Sequence, residues 1–153
     1  TKEGKSPKTE FVGKSAKYIL DKIGITVGDD VKVILMEAKE DHPFVQVELM
    51  MPILPLVRVP DVDQAIEMAV RVEHGNRHTA MMHSRNVEKL TKMAKLIQTT
   101  SFVKNGPSYA GIGVGGEGYT TFTIAGPTGE GLTSAKSFAR RRRCVLVGGM
   151  DVR

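Results

Sequence analysis

Apolar residues recur at helical spacing in three segments of the chain. The first spans residues 15–23 and is closed by Gly24, the second follows Asp61, and the third follows Ser84 or Asn86. In each segment the apolar positions fall three or four residues apart, so they share one face of a helix. The side chains predicted to face inward are Ala16, Ile19, Leu20, Ile23, Val62, Ala65, Ile66, Ala69, Val70, Val87, Leu90, Ala94 and Ile97.

Short β-branched and apolar runs between the helices predict strands. These runs cover residues 31–36, 53–59, 78–83 and 101–104, and the first is expected to be a buried strand. From residue 31 onward the order is strand, strand, helix, strand, helix, strand. Two strand–helix–strand crossovers therefore follow one another. Because such crossovers connect parallel strands, the sequence predicts an α/β domain with a largely parallel sheet.

The segment 41–55, DHPFVQVELMMPILP, places one carboxylate among apolar residues. Its three prolines lack a backbone donor and fix φ, which predicts a rigid, mostly buried loop leading into the strand 53–59. A carboxylate buried there needs a partner, because an unpaired buried charge is costly. Glu48 is therefore either half of a structural ion pair or backbone cap, or an acid that faces a ligand such as a sugar hydroxyl. Spacing alone favours the structural role.

In the last third of the chain the pattern changes to glycine-rich loops and short elements. Residues 105–118 predict a loop, and residues 119–125 are rich in Thr and β-prone. Thr133 or Ser134 caps a predicted helix that reaches about Arg141.

The chain closes with an apolar run at residues 144–147, which predicts a last strand. An unpaired strand edge is a site for pairing with another chain, so we expect this strand to join the sheet of a neighbouring subunit. Cys144 begins the run and is expected to be a buried structural thiol.

Composition limits the classes of function. The chain has 153 residues, 41% hydrophobic and 25% charged, which suits one folded domain. The net charge is +5, but there is no Trp and no basic–aromatic interleaving, so no nucleic-acid surface is expected. No apolar run approaches about 18 residues, and we expect no membrane span. One cysteine excludes an internal disulfide and suits a reducing compartment.

No self-contained catalytic motif stands out. Gly111, Gly113 and Gly116 spell the G-x-G-x-x-G pattern of dinucleotide sites, which requires a helix at the third glycine. β-prone residues and Pro127 follow instead, so we interpret these glycines as residues that permit tight turns and close backbone approach. The four histidines and the cysteine lack metal-ligand spacing, so no metal is expected. From residues alone, the chain is a cytosolic α/β domain without a catalytic centre of its own.

Four blocks of sequence resemble a known family. They read HPFVQVELMMPILP, HGNRHTAMMHS, FVKNGPS and TFTIAGPTGEGLTSAKSFARRRRC. In this order they resemble the C-terminal part of the aldehyde dehydrogenase superfamily, and more narrowly its CoA-acylating acetaldehyde and propionaldehyde dehydrogenases. The resemblance implies a reaction in which aldehyde, CoA and NAD give acyl-CoA and NADH. It also implies that the nucleophilic cysteine and the cofactor domain lie upstream, so no catalytic residue is assigned here and Cys144 is not the nucleophile.

The resemblance implies roles for individual residues. Glu48 corresponds to the Glu of the superfamily's E-x-F-G-P motif, which binds the nicotinamide ribose, and a carboxylate that accepts hydroxyl hydrogen bonds suits that role. Met50 stands where the superfamily has Phe against the nicotinamide, Met51 replaces the Gly, and Pro52 matches. The predicted cofactor-binding residues are thus Glu48, Met50 and Pro52. The predicted substrate-binding residues, from the segment that lines the aldehyde pocket, are Thr123, Ile124 and Ala125.

The implied organisation has three parts. Residues 1–10 form a flexible end, residues 11–141 a portion of an aldehyde-dehydrogenase-like catalytic domain, and residues 142–153 an oligomerisation strand. The implied fold is a three-layer α/β domain with a largely parallel sheet and a C-terminal β arm. The expected partners are a small aldehyde, CoA, NAD and further copies of the chain, in the cytoplasm or in a bacterial microcompartment. The alternative is a non-catalytic interaction or oligomerisation domain of α/β fold.

Overall fold

The computed structural model describes residues 6–116, 124–125, 131–145 and 147–148. The chain divides into two compact units, Thr1–Asn76 with Arg85–Gln98 and Arg77–Ser84 with Thr99–Arg153. The helices of the first unit are α1 (Ala16–Asp21), α2 (Pro43–Gln46), α3 (Val62–Val72) and α4 (Val87–Ile97), and its strands are β1 (Ile34–Glu37) and β2 (Ile53–Leu56). The second unit contains β3 (Thr79–Met82), β4 (Ser101–Lys104), β5 (Ile124–Ala125) and β6 (Gly131–Leu132). Three short 3-10 helices cover Thr9–Phe11, Ser108–Ile112 and Ala135–Phe138.

The strands pair in parallel, as the sequence predicts. β1 lies parallel to β2, with Leu35 beside Leu54, and β3 lies parallel to β4, with Met81 beside Val103. Within the described residues these pairs are separate two-stranded sheets, and β5 pairs with β6 in a third, antiparallel one. The α/β class is therefore confirmed, with α4 as the crossover between β3 and β4.

Helix α1 begins where the pattern predicts and ends earlier. The Ser15 hydroxyl accepts a hydrogen bond from the Tyr18 amide at 3.2 Å and caps the first turn. Ala16 and Ile19 are buried as expected. Ile23, which was expected to face inward, is 68% exposed because the helix stops at Asp21.

Helices α3 and α4 carry the best-buried apolar faces of the first unit. Asp61 caps α3 by accepting from the Gln64 amide, and Asn86 rather than Ser84 caps α4. The predicted inward positions Val62 and Val87 are wrong: each is the first residue of its helix, and both side chains are exposed. The buried side chains of the two helices are Ile66, Leu90, Met93 and Ile97.

The first strand was expected to be buried on both faces, and this prediction is wrong for one of them. Side chains of β1 alternate between half-buried and exposed, and Leu35 is 60% exposed. β2 has the same alternation and ends at Leu56, three residues earlier than expected. A strand whose neighbours cover only one side of the pleat buries only alternate residues.

The C-terminal elements differ from the sequence-based expectation. The helix expected to reach Arg141 is a single 3-10 turn, Ala135–Phe138, with a Ser134 capping box. Cys144 and Val145 have no regular secondary structure, and Cys144 is exposed rather than buried. A strand requires a partner strand, and none of the described residues lies alongside this segment as one. The oligomerisation arm stays a prediction, and Leu146 lies outside the described residues.

Glycines of the rejected dinucleotide pattern have the packing role expected of them. Gly113 adopts φ 96°, a left-handed conformation that favours glycine. A side chain at Gly111 would collide with the hydroxyl of buried Ser101, and one at Gly116 would press against Ala110. The pattern therefore serves close packing after β4.

An acidic side chain joins α3 to α4. Asp63 contacts the ammonium groups of Lys89 at 2.6 Å and of Lys92 at 2.8 Å. Hydrogen bonds from these two lysines lower the pKa of Asp63 from its ordinary value of 3.8 to about 2.

We expect this cluster to make stability depend on pH at the acid end. Because the pKa of Asp63 is lower in the folded state, its stabilisation is present above about pH 4 and is lost as the pH falls through about 2. Urea unfolding of Asp63→Asn should therefore show a loss of stability at pH 6 that shrinks towards pH 2. A constant difference between wild type and Asp63→Asn across this range would contradict the assignment.

Candidate active-site loop and lysine cleft

A short helix precedes the loop that contains Glu48. Helix α2 occupies residues that were expected to be loop, and that prediction is wrong. Pro43 lies in the first turn, where a missing N–H costs nothing, and His42 Nδ1 accepts from the Phe44 amide at 3.1 Å. Proline directly after a capping residue was the sequence signal for this helix.

The loop, residues 47–52, is held in place by its backbone. The Met50 carbonyl accepts a hydrogen bond from the Gly13 amide at 3.0 Å, and the Pro52 carbonyl accepts one from the Ile34 amide at 2.8 Å. Leu49 anchors the loop through its side chain, which is 7% exposed. The loop is therefore fixed between the start of α1 and the start of β1.

Glu48 is exposed, and the expectation of a buried, paired carboxylate is wrong. Leu49 takes the buried position beside it, which leaves the Glu48 side chain exposed to water. Among the described residues this carboxylate has no hydrogen-bond or ion-pair partner. Its oxygens are thus available to accept hydrogen bonds from a ligand.

Met50 has an unusual backbone conformation. Its φ is 51°, in the left-handed region, and its side chain is 66% exposed. An L-residue in this region is strained by roughly 1–2 kcal/mol. The hydrogen bond from Gly13 and the buried neighbour Leu49 hold the turn in this form.

A cationic cleft of about 690 Å³ lies beside this turn. We call it the lysine cleft, and Met50, Met51 and Pro52 form part of its wall. Its charged lining residues are Lys14, Lys17, Lys32 and Asp29. Lys17 Nζ lies 3.1 Å from the Asp29 carboxylate, so one positive charge is offset and the cleft keeps a cationic excess.

The structure thus brings two of the three predicted cofactor residues to one cleft. Met50 and Pro52 line the lysine cleft, whereas Glu48 is not among its lining residues. Sequence reasoning missed the lysines, although Lys14 and Lys17 are three residues apart at the start of a helical pattern.

A second cavity, of about 420 Å³, lies between α1 and one face of the β1–β2 pair. Its lining is apolar apart from Lys8 and includes Phe11, Ile19, Ile34 and Met51. Apart from the Lys8 ammonium group, such a cavity offers only apolar packing surface.

The predicted aldehyde-pocket residues lie in the second unit. Ile124 and Ala125 form β5, where they pair with Leu132 and Gly131 of β6. Thr123 lies outside the described residues.

The described residues hold no group of three His, Cys, Asp or Glu side chains that could bind a metal ion. His78 Nδ1 lies 2.8 Å from the Thr79 hydroxyl of β3. No described helix is long and apolar enough to cross a bilayer.

Comparison with known proteins identifies the family. The profile of the aldehyde dehydrogenase family matches residues 31–130, which include the Glu48 loop and the whole segment from β1 to β5. The chain belongs to the aldehyde dehydrogenase family. The resemblance inferred from the four sequence blocks is therefore confirmed at the level of the family.

Individual members of the aldehyde dehydrogenase family are closely similar to the chain. The CoA-propanoylating propanal dehydrogenase of Salmonella typhimurium is 53% identical over 152 residues, which is 99% of this chain and 32% of that protein. The propionaldehyde dehydrogenase of Rhodopseudomonas palustris, solved with bound CoA and an acylated cysteine, is 72% identical with a TM-score of 0.87. An engineered glycolyl-CoA reductase solved with NADP+ has the same identity and TM-score. Each of these two matches covers 95% of this chain and 33% of the solved one.

The chain therefore spans about a third of the length of these relatives. The α/β fold class is that of CoA-acylating aldehyde dehydrogenases.

The left-handed turn gives a prediction with a matched control. We expect Met50→Gly to raise the free energy of unfolding by up to about 1 kcal/mol, because glycine adopts this φ without strain and little packing is lost. Met51→Gly should lower the free energy of unfolding by about 1–3 kcal/mol, because the Met51 side chain forms part of the wall of both cavities and its packing is lost. Met51 has no positive φ, so glycine relieves no backbone strain there. Urea unfolding followed by circular dichroism measures both. Equal losses in the two variants would show that Met50 is not strained.

Proposed function

We propose that this chain is the C-terminal catalytic-domain portion of a CoA-acylating aldehyde dehydrogenase that uses NAD. The observation that carries the proposal is the 53% identity to a CoA-propanoylating propanal dehydrogenase across 99% of the chain. The reaction oxidises a small aldehyde to the thioester of CoA, and NAD, when bound, accepts the hydride. The proton released belongs to the CoA thiol, whose sulfur forms the new bond to the acyl carbon.

The residues of the active-site loop fit a nucleotide cosubstrate. Glu48 presents a free carboxylate, which suits two ribose hydroxyls as donors. Met50 and Pro52 offer apolar contact at the wall of the lysine cleft. Lys14 and Lys32 supply positive charge that favours the phosphate groups carried by both NAD and CoA.

The remaining roles follow from the family resemblance. Thr123, Ile124 and Ala125 line the aldehyde pocket. The nucleophilic cysteine belongs to polypeptide that this chain does not contain, so Cys144, exposed beside four arginines, is not assigned that role. Residues 142–153 join a neighbouring subunit, and the whole enzyme functions in the cytoplasm or in a microcompartment within it.

A non-catalytic interaction domain is the second candidate. Exposed apolar residues at the C-terminal end, Val145 at 68% and Val147 at 94%, favour it. An interaction domain would not support catalysis when the chain forms part of a longer polypeptide.

A chimera separates the two candidates. This chain replaces the matching segment of the Rhodopseudomonas palustris propionaldehyde dehydrogenase, to which it is 72% identical. We expect the chimera to reduce NAD in the presence of propanal and CoA, and the isolated chain to have no activity because it lacks the nucleophile. Turnover by the isolated chain would refute the placement of the nucleophile, and a folded but inactive chimera would favour the interaction domain.

Glu48 is tested in the same chimera. Glu48→Gln should raise KM for NAD about tenfold or more, since hydrogen bonds to a charged group contribute about 1.5–3 kcal/mol. KM for propanal should change much less. Glu88→Gln, on the exposed first turn of α4, serves as the control of equal charge change. Unaltered NAD kinetics in Glu48→Gln would remove the residue from the cofactor site.

A further inference from the structure

The cavity between α1 and the β1–β2 pair has an apolar wall on every side. We call it the apolar cavity. The first 3-10 helix, α1, β1, α2, the loop and β2 each contribute side chains to this wall, among them Phe11, Ile19, Met36, Phe44, Met51 and Ile53. Ile19 is buried and the lining residue Ile23 is 68% exposed, so the cavity extends from the core to the surface.

The size and chemistry of the apolar cavity suit a small apolar ligand. Its volume of about 420 Å³ is within the range of small-molecule pockets, about 300–1,000 Å³. Water is a poor occupant, because an ordered buried water makes about three hydrogen bonds. Among the described lining residues, only Lys8 carries a polar side chain.

Lys8 places one positive charge at the edge of the apolar cavity. Its side chain is more than half exposed, and its ammonium nitrogen lies 4.0 Å from the Glu10 carboxylate. This separation is longer than a hydrogen bond, which spans about 2.7–3.2 Å, so the ammonium group keeps donors for a ligand. An apolar wall with a cation at its edge complements an alkyl chain that ends in an anionic group.

A polypeptide segment suits the apolar cavity less well than an alkyl chain does. Each residue of such a segment would bring a backbone N–H and C=O group, and burying these groups without hydrogen-bond partners is costly. The lining side chains supply no partner besides Lys8. An unbranched alkyl chain brings no polar group, and its carboxylate needs only the one cation.

We propose that the apolar cavity binds a medium-chain fatty acid, with the alkyl chain against Ile19 and Met36 and the carboxylate at the Lys8 ammonium group. The site does not depend on the proposed function, because it requires neither NAD nor a nucleophile. It lies next to the predicted cofactor residues, since Met51 forms part of the wall of both this cavity and the lysine cleft.

Titration of the chain with fatty acids of increasing length tests the alkyl part of the site. From hexanoate to octanoate, affinity measured by calorimetry should rise about fourfold for each added CH₂ group. In protein with ¹³C-labelled methionine methyl groups, octanoate should shift the resonances of Met36 and Met51. The exposed Met81 of β3 should keep its resonance. Affinity that is independent of chain length, or equal shifts at Met81, would overturn the proposal.

The carboxylate is tested by a pair of ligands and a matched variant. Lys8→Gln should weaken octanoate binding about threefold, because an ion pair at an exposed side chain is weak, and should leave octan-1-ol binding unchanged. Lys95→Gln, on the exposed side of α4, should bind both ligands like the wild type. Leu20→Phe should weaken both ligands at least tenfold, since the larger ring occupies the cavity. Octanoate binding that is equal in Lys8→Gln and wild type would refute the contact with Lys8.

The chimera described above separates this inference from the proposed function. We expect it to bind octanoate with an affinity within about threefold of that of the isolated chain. Loss of octanoate binding in an active chimera would overturn the site, since the rest of the polypeptide would then fill the cavity, and would leave the function intact. Octanoate binding by a folded but inactive chimera would support the site and count against the function.

Discussion

The parallel register between β1 and β2 is the constraint on which the position of the loop, residues 47–52, depends. The Ile34 amide donates to the Pro52 carbonyl at 2.8 Å, and the Ala38 amide donates to the Leu56 carbonyl at 2.9 Å. These bonds fix both ends of the strand pair. Because β2 begins directly after the loop, they also fix Met50 and Pro52 beside α1. The lysine cleft is the space that this arrangement leaves between the loop and the N-terminal end of α1.

Apolar packing holds this frame, and the surface charges contribute less. The innermost side chains, Ala16 and Ile66, are 1% and 2% exposed, and they come from the helices that cover the strand pair. The ion pairs among the described residues lie at the surface, as with Arg58 and Glu37, where water screens their attraction. Among these ion pairs, the Asp63 cluster shifts the pKa of its carboxylate most, because two lysines contact one carboxylate. It links α3 to α4 without supplying the burial that keeps them together.

The uneven burial of the sheet agrees with the length of the relatives. A domain of this size that leaves Leu35 and Leu54 half-exposed has not covered all the apolar surface its strands present. The relatives continue for twice the length of this chain, so covering polypeptide is available to them. Membership of the aldehyde dehydrogenase family therefore agrees with the incomplete covering of this sheet.

The sequence by itself determined the local elements and the family. Helical spacing and capping residues located α3 and α4, because Asp61 and Asn86 satisfy backbone amides that are their near neighbours in the chain. Runs of β-branched and apolar residues located the strands, and the order of elements predicted the parallel pairing of β3 with β4. The parallel pairing of β1 with β2 was not predicted by this order, because α2 between them was expected to be loop. Tertiary structure decided which apolar residues are buried, since that depends on partners distant in sequence. It left Glu48 in water and Leu49 inside, exposed Leu35 and Cys144, and brought Lys32 to the loop, because contact between segments, and not local pattern, sets the environment of each side chain.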